Sequence, residues 1–328
     1  MSSVLGIGNA LVDVMTRLED DNLLQEFGLP KGSMQLVSIE FSNRLMAGTL
    51  GLEKLQSSGG SAANTIHGLA HLGIQTGFIG KIGKDSFGKF FENDMKQYGI
   101  LPVLFHDLKE TGRSIALVSP DSERTFATFL GASIALDEED ITSNLYEGFN
   151  IFHIEGYLVQ NKELIKKAVR LAKSQGLTVT FDMASYNVVA ENIDFLKQMT
   201  HEYVDVIFAN EQEAEVFTGE NSETALQSLS NFCDIAVLKM GVKGSCIRAA
   251  NKEYRIGIVD VDSIDTTGAG DLYASGFIYG MCRGLSLDKC GQLGAICGGY
   301  ITEVIGAKMD EERWTRVKER IIEIENTI

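Results

Sequence analysis

The N-terminal part of the chain alternates between short apolar runs and polar breaks. Val4–Gly8 is apolar and of strand length, and Leu11–Leu18 is a second strand-like run with Asp13 embedded in it. Lys31–Val37 reads as another strand. Ser61–Leu72 has helical spacing with small residues near its start. Thr76–Gly80 predicts a strand, and Ser86–Tyr98 an amphipathic helix closed by Gly99. Arg113–Ser119 and Arg124–Leu130 are rich in β-favouring residues, and Pro120-Asp121-Ser122-Glu123 between them reads as a hairpin turn. Strands then alternate with helices. Strands are predicted at Ile151–Ile154, Thr178–Phe181, Val204–Phe208 and Ile235–Leu238. The helices are Lys162–Ser174, stopped by Gly176, and Glu211–Phe217, stopped by Gly219. Two small-residue-rich helices follow, Gly268–Arg283 and Leu287–Glu303, and then a polar closing helix, Glu311–Glu325.

Alternating βαβα units favour a parallel sheet covered by helices on both faces. The expected fold class is α/β: one doubly wound, mostly parallel sheet in a single domain over residues 1–328. A small β-sheet drawn from about 11–37 and 113–130 would sit over the strand ends as a lid.

Composition narrows the partners. Hydrophobic residues make up 44% of the chain, charged residues 23%, and only three residues are proline, a globular profile. With 29 Lys and Arg against 45 Asp and Glu, the formal charge is −16. Such a surface repels nucleic acid and anionic membranes, so neither is an expected partner. An anionic ligand would have to be held by local cations, helix N-termini and backbone amides. Cys233, Cys246, Cys282, Cys290 and Cys297 form no CxxC pair and read as apolar fillers in a reducing compartment. The opening Met1–Gly6 lacks the basic region of a signal peptide, and no run approaches the ~18 apolar residues of a membrane span. The expectation is a soluble, cytoplasmic protein.

The strongest local signal is Asp265-Thr266-Thr267-Gly268-Ala269-Gly270-Asp271 at the head of a helix. Small residues let backbone N–H groups converge at a helix N-terminus, which favours negative charge. Asp271, in the first turn, is placed to accept a proton from an attacking hydroxyl. A tight turn with a dipole-stabilising Asp fits the same spacing.

This stretch resembles the C-terminal signature of the ribokinase or PfkB family of carbohydrate and nucleoside kinases. Gly59-Gly60-Ser61-Ala62-Ala63-Asn64 resembles that family's N-terminal signature, and the likeness covers nearly the whole chain. Within the family, Arg113–Ser133, with Glu123-Arg124-Thr125-Phe126 and Leu130-Gly131-Ala132-Ser133, looks most like adenosine-kinase-like bacterial members. The resemblance implies an ATP- and Mg²⁺-dependent kinase acting on a hydroxymethyl group. Asp271 would be the base, and Gly268, Ala269 and Gly270 the anion hole. Gly59 and Gly60 would let the lid close, Asp13 and Asn64 would bind sugar hydroxyls, and Arg124 would be a further substrate contact. Asn210 and Glu213 match the family's NxxE element, with Glu213 organising Mg²⁺ through water. Lys239, Gly241 and Gly244 would run along the nucleotide. Asp265 and Thr267 are candidates for a monovalent cation such as K⁺.

Each of these positions has a plainer reading from the residues alone. Gly59-Gly60 suits a loop with Ser61 as N-cap, and Asp13 an edge strand facing water. Asn64 suits local backbone bonding, and Asn210 with Glu213 a capping box. Lys239–Gly244 suits a hairpin turn, and Gly291–Tyr300 suits helix packing as well as an adenine pocket.

Two motifs are decoys. Gly83–Phe90 is one residue from a P-loop, but Phe90 lacks the required hydroxyl and no strand is predicted to end immediately before it. Gly6-Ile7-Gly8 has Leu11 where a dinucleotide fingerprint needs glycine. His67 and His71 lie four apart without an HExxH frame.

Inside the kinase class, Phe126 and Phe129 on the lid would line a base slot, which favours a nucleoside over a sugar of the ribokinase or fructokinase type. A non-catalytic ligand-binding protein on the same fold is the reading from another class. An exposed lid edge would allow a homodimer.

Overall fold

The structure is a computed structural model that describes residues 2–121 and 123–326. In chain order its elements are β1 (Ser3–Ile7), β2 (Leu11–Arg17), α1 (Asn22–Glu26), β3 (Met34–Leu36), α2 (Ile39–Gly48), β4 (Lys54–Gly59), α3 (Ser61–His71), β5 (Gln75–Gly83), α4 (Ser86–Gln97) and β6 (Leu101–Asp107). The lid hairpin follows as β7 (Gly112–Val118) and β8 (Arg124–Phe129). Then come β9 (Ile151–Glu155), α5 (Lys162–Ser174), β10 (Thr178–Asp182), α6 (Tyr186–Glu191), α7 (Ile193–Tyr203), β11 (Val206–Asn210), α8 (Glu211–Thr218), α9 (Ser222–Leu229) and β12 (Ile235–Lys239). The chain closes with β13 (Ser245–Ala249), β14 (Lys252–Ile256), α10 (Ala269–Cys282), α11 (Leu287–Tyr300) and α12 (Glu311–Asn326).

Among the described residues, the main sheet has the order β14-β13-β12-β11-β10-β9-β1-β5-β6. It is parallel from β12 to β6, and β13 and β14 add an antiparallel edge. Strand alternation sends neighbouring side chains to opposite faces. Thus Leu5, Ile7, Phe152, Ile154, Val179 and Phe181 pack with α5 and α7, while Val4, Ile151, Val206 and Phe208 pack with α3 and α10. Each fully buried Phe contributes about 1.5–3 kcal/mol. The chain runs outward from β1 in both directions, so β1/β9 is the switch point, where a crevice opens beyond the carboxyl ends of the strands.

The second sheet, β3-β8-β7-β2-β4, is the lid. One face carries Ile115, Leu117 and Ala127, which pack with Leu18 after β2 and are covered by Leu24 of α1 and Leu45 of α2. The lid draws on three stretches rather than two, because β4 pairs antiparallel with β2 from Gly59 back to Lys54. Its sequence, Lys-Leu-Gln-Ser-Ser-Gly, has no β-branched residue and gave no strand signal. The strand expected over Lys31–Val37 shrinks to Met34–Leu36. The Arg113–Ser119 and Arg124–Leu130 runs do form an antiparallel hairpin, and Ser122 of its turn lies outside the described residues.

Two further expectations are corrected. β5 runs on to Gly83, so a strand does end where the P-loop-like motif begins. That turn is nonetheless filled by an acid: Asp85 accepts from the Gly88 and Thr111 amides at 2.8 and 2.7 Å, leaving no cradle for phosphate. The strand expected at Val204–Phe208, β11, starts at Val206, because Val204 caps the C-terminus of α7. The five cysteines are unpaired thiols, as expected.

Candidate active site

The parallel strands end on polar residues. β9 ends at Glu155, β10 at Asp182, β11 at Asn210 and β12 at Lys239, with Glu155 beside Asp182 and Asn210 beside Lys239 in register. Lys239 Nζ meets Asp182 Oδ2 at 2.7 Å. Burial would push the Asp182 carboxyl up, but Lys239 and the Ala184 amide hold it below the ordinary aspartate range. Burial likewise works against the Lys239 ammonium, and the charges of Asp182 and Glu213 outweigh it, so the pair is ionised.

Gly268 takes a left-handed φ of +75° at the head of α10, and a Cβ there would stand 2.7 Å from Ala307 Cβ. Asp265 shapes the turn, accepting from the Thr267 amide at 2.6 Å and the Gly306 amide at 2.6 Å. The Ala269 amide turns back onto Thr266 O at 3.2 Å. Of the predicted anion-hole amides, those of Gly268 and Gly270 therefore face no protein acceptor among the described residues. A Cβ on Gly270 would stand 3.0 Å from Lys239 Nζ, so the ammonium closes the same space from the sheet side.

Asp271 points across to α3. Ser61 Oγ donates to its Oδ1 at 2.7 Å and Asn64 Nδ2 to its Oδ2 at 2.9 Å. Burial pushes the carboxyl up to about 6 against these two hydrogen bonds. Ser61 is thus no N-cap: Gly60 occupies that position, and the serine hydroxyl orients the carboxylate. Asn64 spends its amide on Asp271 rather than on the backbone, and its buried Oδ1 has no partner among the described residues.

The glycine pair is required by contact. A Cβ on Gly59 would lie 2.3 Å from Asp13 Oδ2. One on Gly60, at φ +104°, would lie 2.1 Å from Asn9 O. Gly60→Ala is expected to destabilise the protein by at least ~2 kcal/mol, through left-handed strain plus an unavoidable backbone clash. A urea midpoint unchanged from wild type would contradict this. Asp13 faces inward from β2, and burial lifts its carboxyl to about 6 although Lys308 opposes the shift.

The nucleotide-side residues have structural duties of their own. Asn210 and Glu213 form a full capping box: Glu213 Oε2 accepts from the Asn210 amide at 2.8 Å and Oε1 from its side chain at 2.7 Å. Burial raises the Glu213 carboxyl to about 7 despite Lys239 nearby. Gly241 and Gly244 sit in the turn joining β12 to its antiparallel partner β13, with φ of +54° and +84°. In α11, Gly294 lies against Tyr273 and Gly298 against Ala269 O, so close packing on α10 explains its small residues.

Arg124 reaches down from the lid to the glycine turn. Its guanidinium donates to Thr267 Oγ1 at 3.0 Å and pairs with Asp265 Oδ2. Arg124 therefore ties the lid to the turn at the head of α10. The groups it engages, the Asp265 carboxylate and the Thr267 hydroxyl, are the two expected as candidates for a monovalent cation.

A cavity of about 660 Å³ opens under the lid beside Asp271's partner Ser61. Its polar end holds Asn9, Gly60, Ser61 and Glu155. Leu11, Met34, Leu36, Leu130, Ile134 and Leu136 supply apolar wall. Phe126 and Phe129 do not line it. Phe126 shares the inward face with Arg124 and Thr128, whereas Phe129 points the other way and packs under the Arg113 guanidinium at 5.5 Å. Glu155 was not evident as a site residue from sequence. It accepts from the Asn9 amide at 2.9 Å, Asn9 Nδ2 at 2.6 Å and the Ala62 amide at 2.9 Å, and burial lifts it to about 7.

A crevice with a carboxylate beside open helix-end amides and a strand-end lysine, under a second sheet, is the arrangement of a small-molecule kinase. The chain belongs to the pfkB family of carbohydrate kinases, matched over residues 53–313. It superposes on the adenosine kinase of Sinorhizobium meliloti with a TM-score of 0.87 and 31% identity, covering 97% of this chain and 99% of that one. A probable sugar kinase from Rhizobium etli gives a TM-score of 0.85 and 31% identity, over 97% and 98% of the two chains. A 5-dehydro-2-deoxygluconokinase of Clostridium perfringens is 30% identical, over 80% of this chain and 83% of that protein. No helix among the described residues is long and apolar enough to cross a membrane.

Proposed function

We propose that this kinase moves the γ-phosphoryl group of ATP to the hydroxymethyl group of a nucleoside, with adenosine the favoured acceptor. The observation that carries the choice is the lining of the cavity under the lid. It includes Glu155 and Glu191 but no Lys or Arg. A sugar acid or sugar phosphate would bury its charge there without a counter-ion, which costs several kcal/mol. A nucleoside carries no charge, and its base suits the apolar wall of Leu11, Leu36, Ile134 and Leu136. The overall likeness to a bacterial adenosine kinase supports the same reading.

In this account the ribose hydroxyls meet Asp13 and the free Oδ1 of Asn64. Asp271, held by Ser61 and Asn64, accepts the proton of the attacking hydroxyl. The Gly268 and Gly270 amides and Lys239 meet the charge on the transferring group, and Arg124 closes over it from the lid. The hard oxygen donors Glu213 and Asp182 beside Lys239 suit Mg²⁺ that keeps its water shell, which would neutralise phosphate charge there. The closed lid excludes water that would otherwise hydrolyse ATP.

Assaying ADP release with adenosine, other nucleosides, ribose, fructose and 5-dehydro-2-deoxygluconate tests the acceptor. Adenosine is expected to exceed each sugar by at least ~100-fold in kcat/KM, the scale of discrimination by a matched polar site. A sugar or sugar acid at the head of the panel would overturn the nucleoside reading. ATP binding with no turnover on any acceptor would favour a non-catalytic binding protein.

A further inference from the structure

A second cavity, of about 190 Å³, opens beside the other partner of Asp271, Asn64. Asp271 joins the two cavities: it accepts from Ser61, which lines the larger, and from Asn64, which lines the smaller. Ser57, the register partner of Asp13 across β2 and β4, is also in the smaller wall. The small cavity therefore borders the end of the crevice proposed above for the acceptor.

Three buried polar atoms of residues in this wall have no hydrogen-bond partner among the described residues: Asn64 Oδ1, His67 Nδ1 and Lys308 Nζ. Asn64 and His67 lie three residues apart on one face of α3, 6% and 3% exposed. Their other polar atoms are spent. Asn64 Nδ2 donates to Asp271 at 2.9 Å, and His67 Nε2 meets Asp94 Oδ2 at 3.0 Å. Burial works against the Asp94 charge, but the His67 and Ser58 donors hold this carboxyl below the ordinary aspartate range. An ionised carboxylate only accepts, so Nε2 carries the ring proton. Burial keeps the imidazole neutral, with pKa about 4, which leaves Nδ1 an acceptor. Lys308 comes from a different element, the loop whose Gly306 amide donates to Asp265 at 2.6 Å.

Two unfilled acceptors and one ammonium in a single wall select the group that fits. A carboxylate or phosphate brings acceptors only. It would suit Lys308 but repel Asn64 Oδ1, His67 Nδ1 and the Asp94 charge. A second ammonium would meet Lys308. An apolar group would leave all three atoms unpaired. A pair of hydroxyls gives two hydrogens, one to each acceptor, and its oxygens accept from the lysine.

We propose that Lys308 and His67 read the acceptor's ring hydroxyls from this second cavity, Lys308 donating and His67 accepting, beside Asn64. The inference rests on the nucleoside reading and names the residues that recognise its ribose edge. The cavity is under a third the size of the one below the lid, which suits a sugar edge here and the base there.

The test compares kcat/KM for adenosine, 2′-deoxyadenosine and 3′-deoxyadenosine at saturating MgATP, in wild type and Lys308→Met. Wild type should favour adenosine over at least one analogue by at least ~30-fold, because a missing hydroxyl strands buried polar groups. Lys308→Met should lose at least ~10-fold on adenosine, carried by KM, and less than ~3-fold on the analogue without the hydroxyl that the lysine holds. His67→Phe, which lacks the acceptor, should likewise spare one analogue. Equal losses on all three acceptors, as a structural role or ordered water alone would give, would overturn the proposal. So would an undiminished rate on adenosine in Lys308→Met, or wild-type indifference to both missing hydroxyls. If Lys308→Met fails to fold, Lys308→Gln, with its shorter stem, faces the same comparison. Wild type inactive on adenosine sinks the nucleoside reading, and the same cycle on the best acceptor of the panel and its deoxy forms then decides Lys308. Activity on adenosine with uniform losses in Lys308→Met removes the cavity assignment alone.

Discussion

Asp271→Asn is expected to fold normally and lose at least ~100-fold in turnover, the scale of a general base. The carboxylate is buried with two donors on it, Ser61 Oγ and Asn64 Nδ2. An amide of the same shape still accepts from Ser61. Asn64 then reverses its own amide, presenting the Oδ1 that in wild type has no partner among the described residues. Stability should hold or rise at neutral pH. The Asp271 carboxyl goes from 3.8 to about 6 on folding, so the folded state binds the proton more tightly. Ionised Asp271 therefore costs stability above pH 6, and that cost fades as pH falls through 6 towards 4. A thermal melt at pH 7.5 alongside an ADP-release assay checks both halves. Near-normal turnover in a folded variant would remove Asp271 from the chemistry.

Lys239→Met should be the most damaging substitution on the nucleotide side. It leaves Asp182, 8% exposed, without its 2.7 Å partner. Removing one member of a buried pair costs about 3–5 kcal/mol because the other charge stays behind. It also takes the ammonium away from Gly270, where phosphate charge is to be met. The two effects separate in a cycle. Asp182→Asn added to Lys239→Met should recover most of the stability in a urea titration while turnover stays at least ~100-fold down. Recovery of turnover in the double variant would mean that Lys239 is a structural cation only.

Much of this arrangement was legible in the sequence. Parallel strands buried on both faces give unbroken apolar runs, and Ile151–Ile154, Thr178–Phe181 and Ile235–Leu238 are each found one residue longer. The added residue is a polar one at the carboxyl end: Glu155, Asp182 or Lys239. A polar residue closing an apolar strand was the available signal for Glu155 and Asp182, and alternating α/β order says that such ends face the crevice. The glycine turn and Asp271 were legible because backbone donors at a helix end need small residues in consecutive positions. Lys308 was not, since a lone lysine in a loop carries no pattern, and its cavity neighbours Asn64 and His67 come from a distant stretch. Strand β4 hid for a related reason: it is held by pairing with β2, not by propensity. Of the two lid phenylalanines, pleating keeps Phe126 on the inward face with Arg124 and places Phe129 on the other. The capping reading of Asn210 and Glu213 holds, and the box that caps α8 also fixes the Glu213 carboxylate beside Lys239.

Phosphorus NMR of the wild-type chain with MgATP and adenosine tests the central claim most directly. One phosphomonoester on the nucleoside hydroxymethyl group should form for each ADP released, with no free phosphate. ADP accompanied by inorganic phosphate, or by an ester at a ring hydroxyl, would contradict an account in which Asp271 strips the proton from a hydroxymethyl group enclosed under the lid.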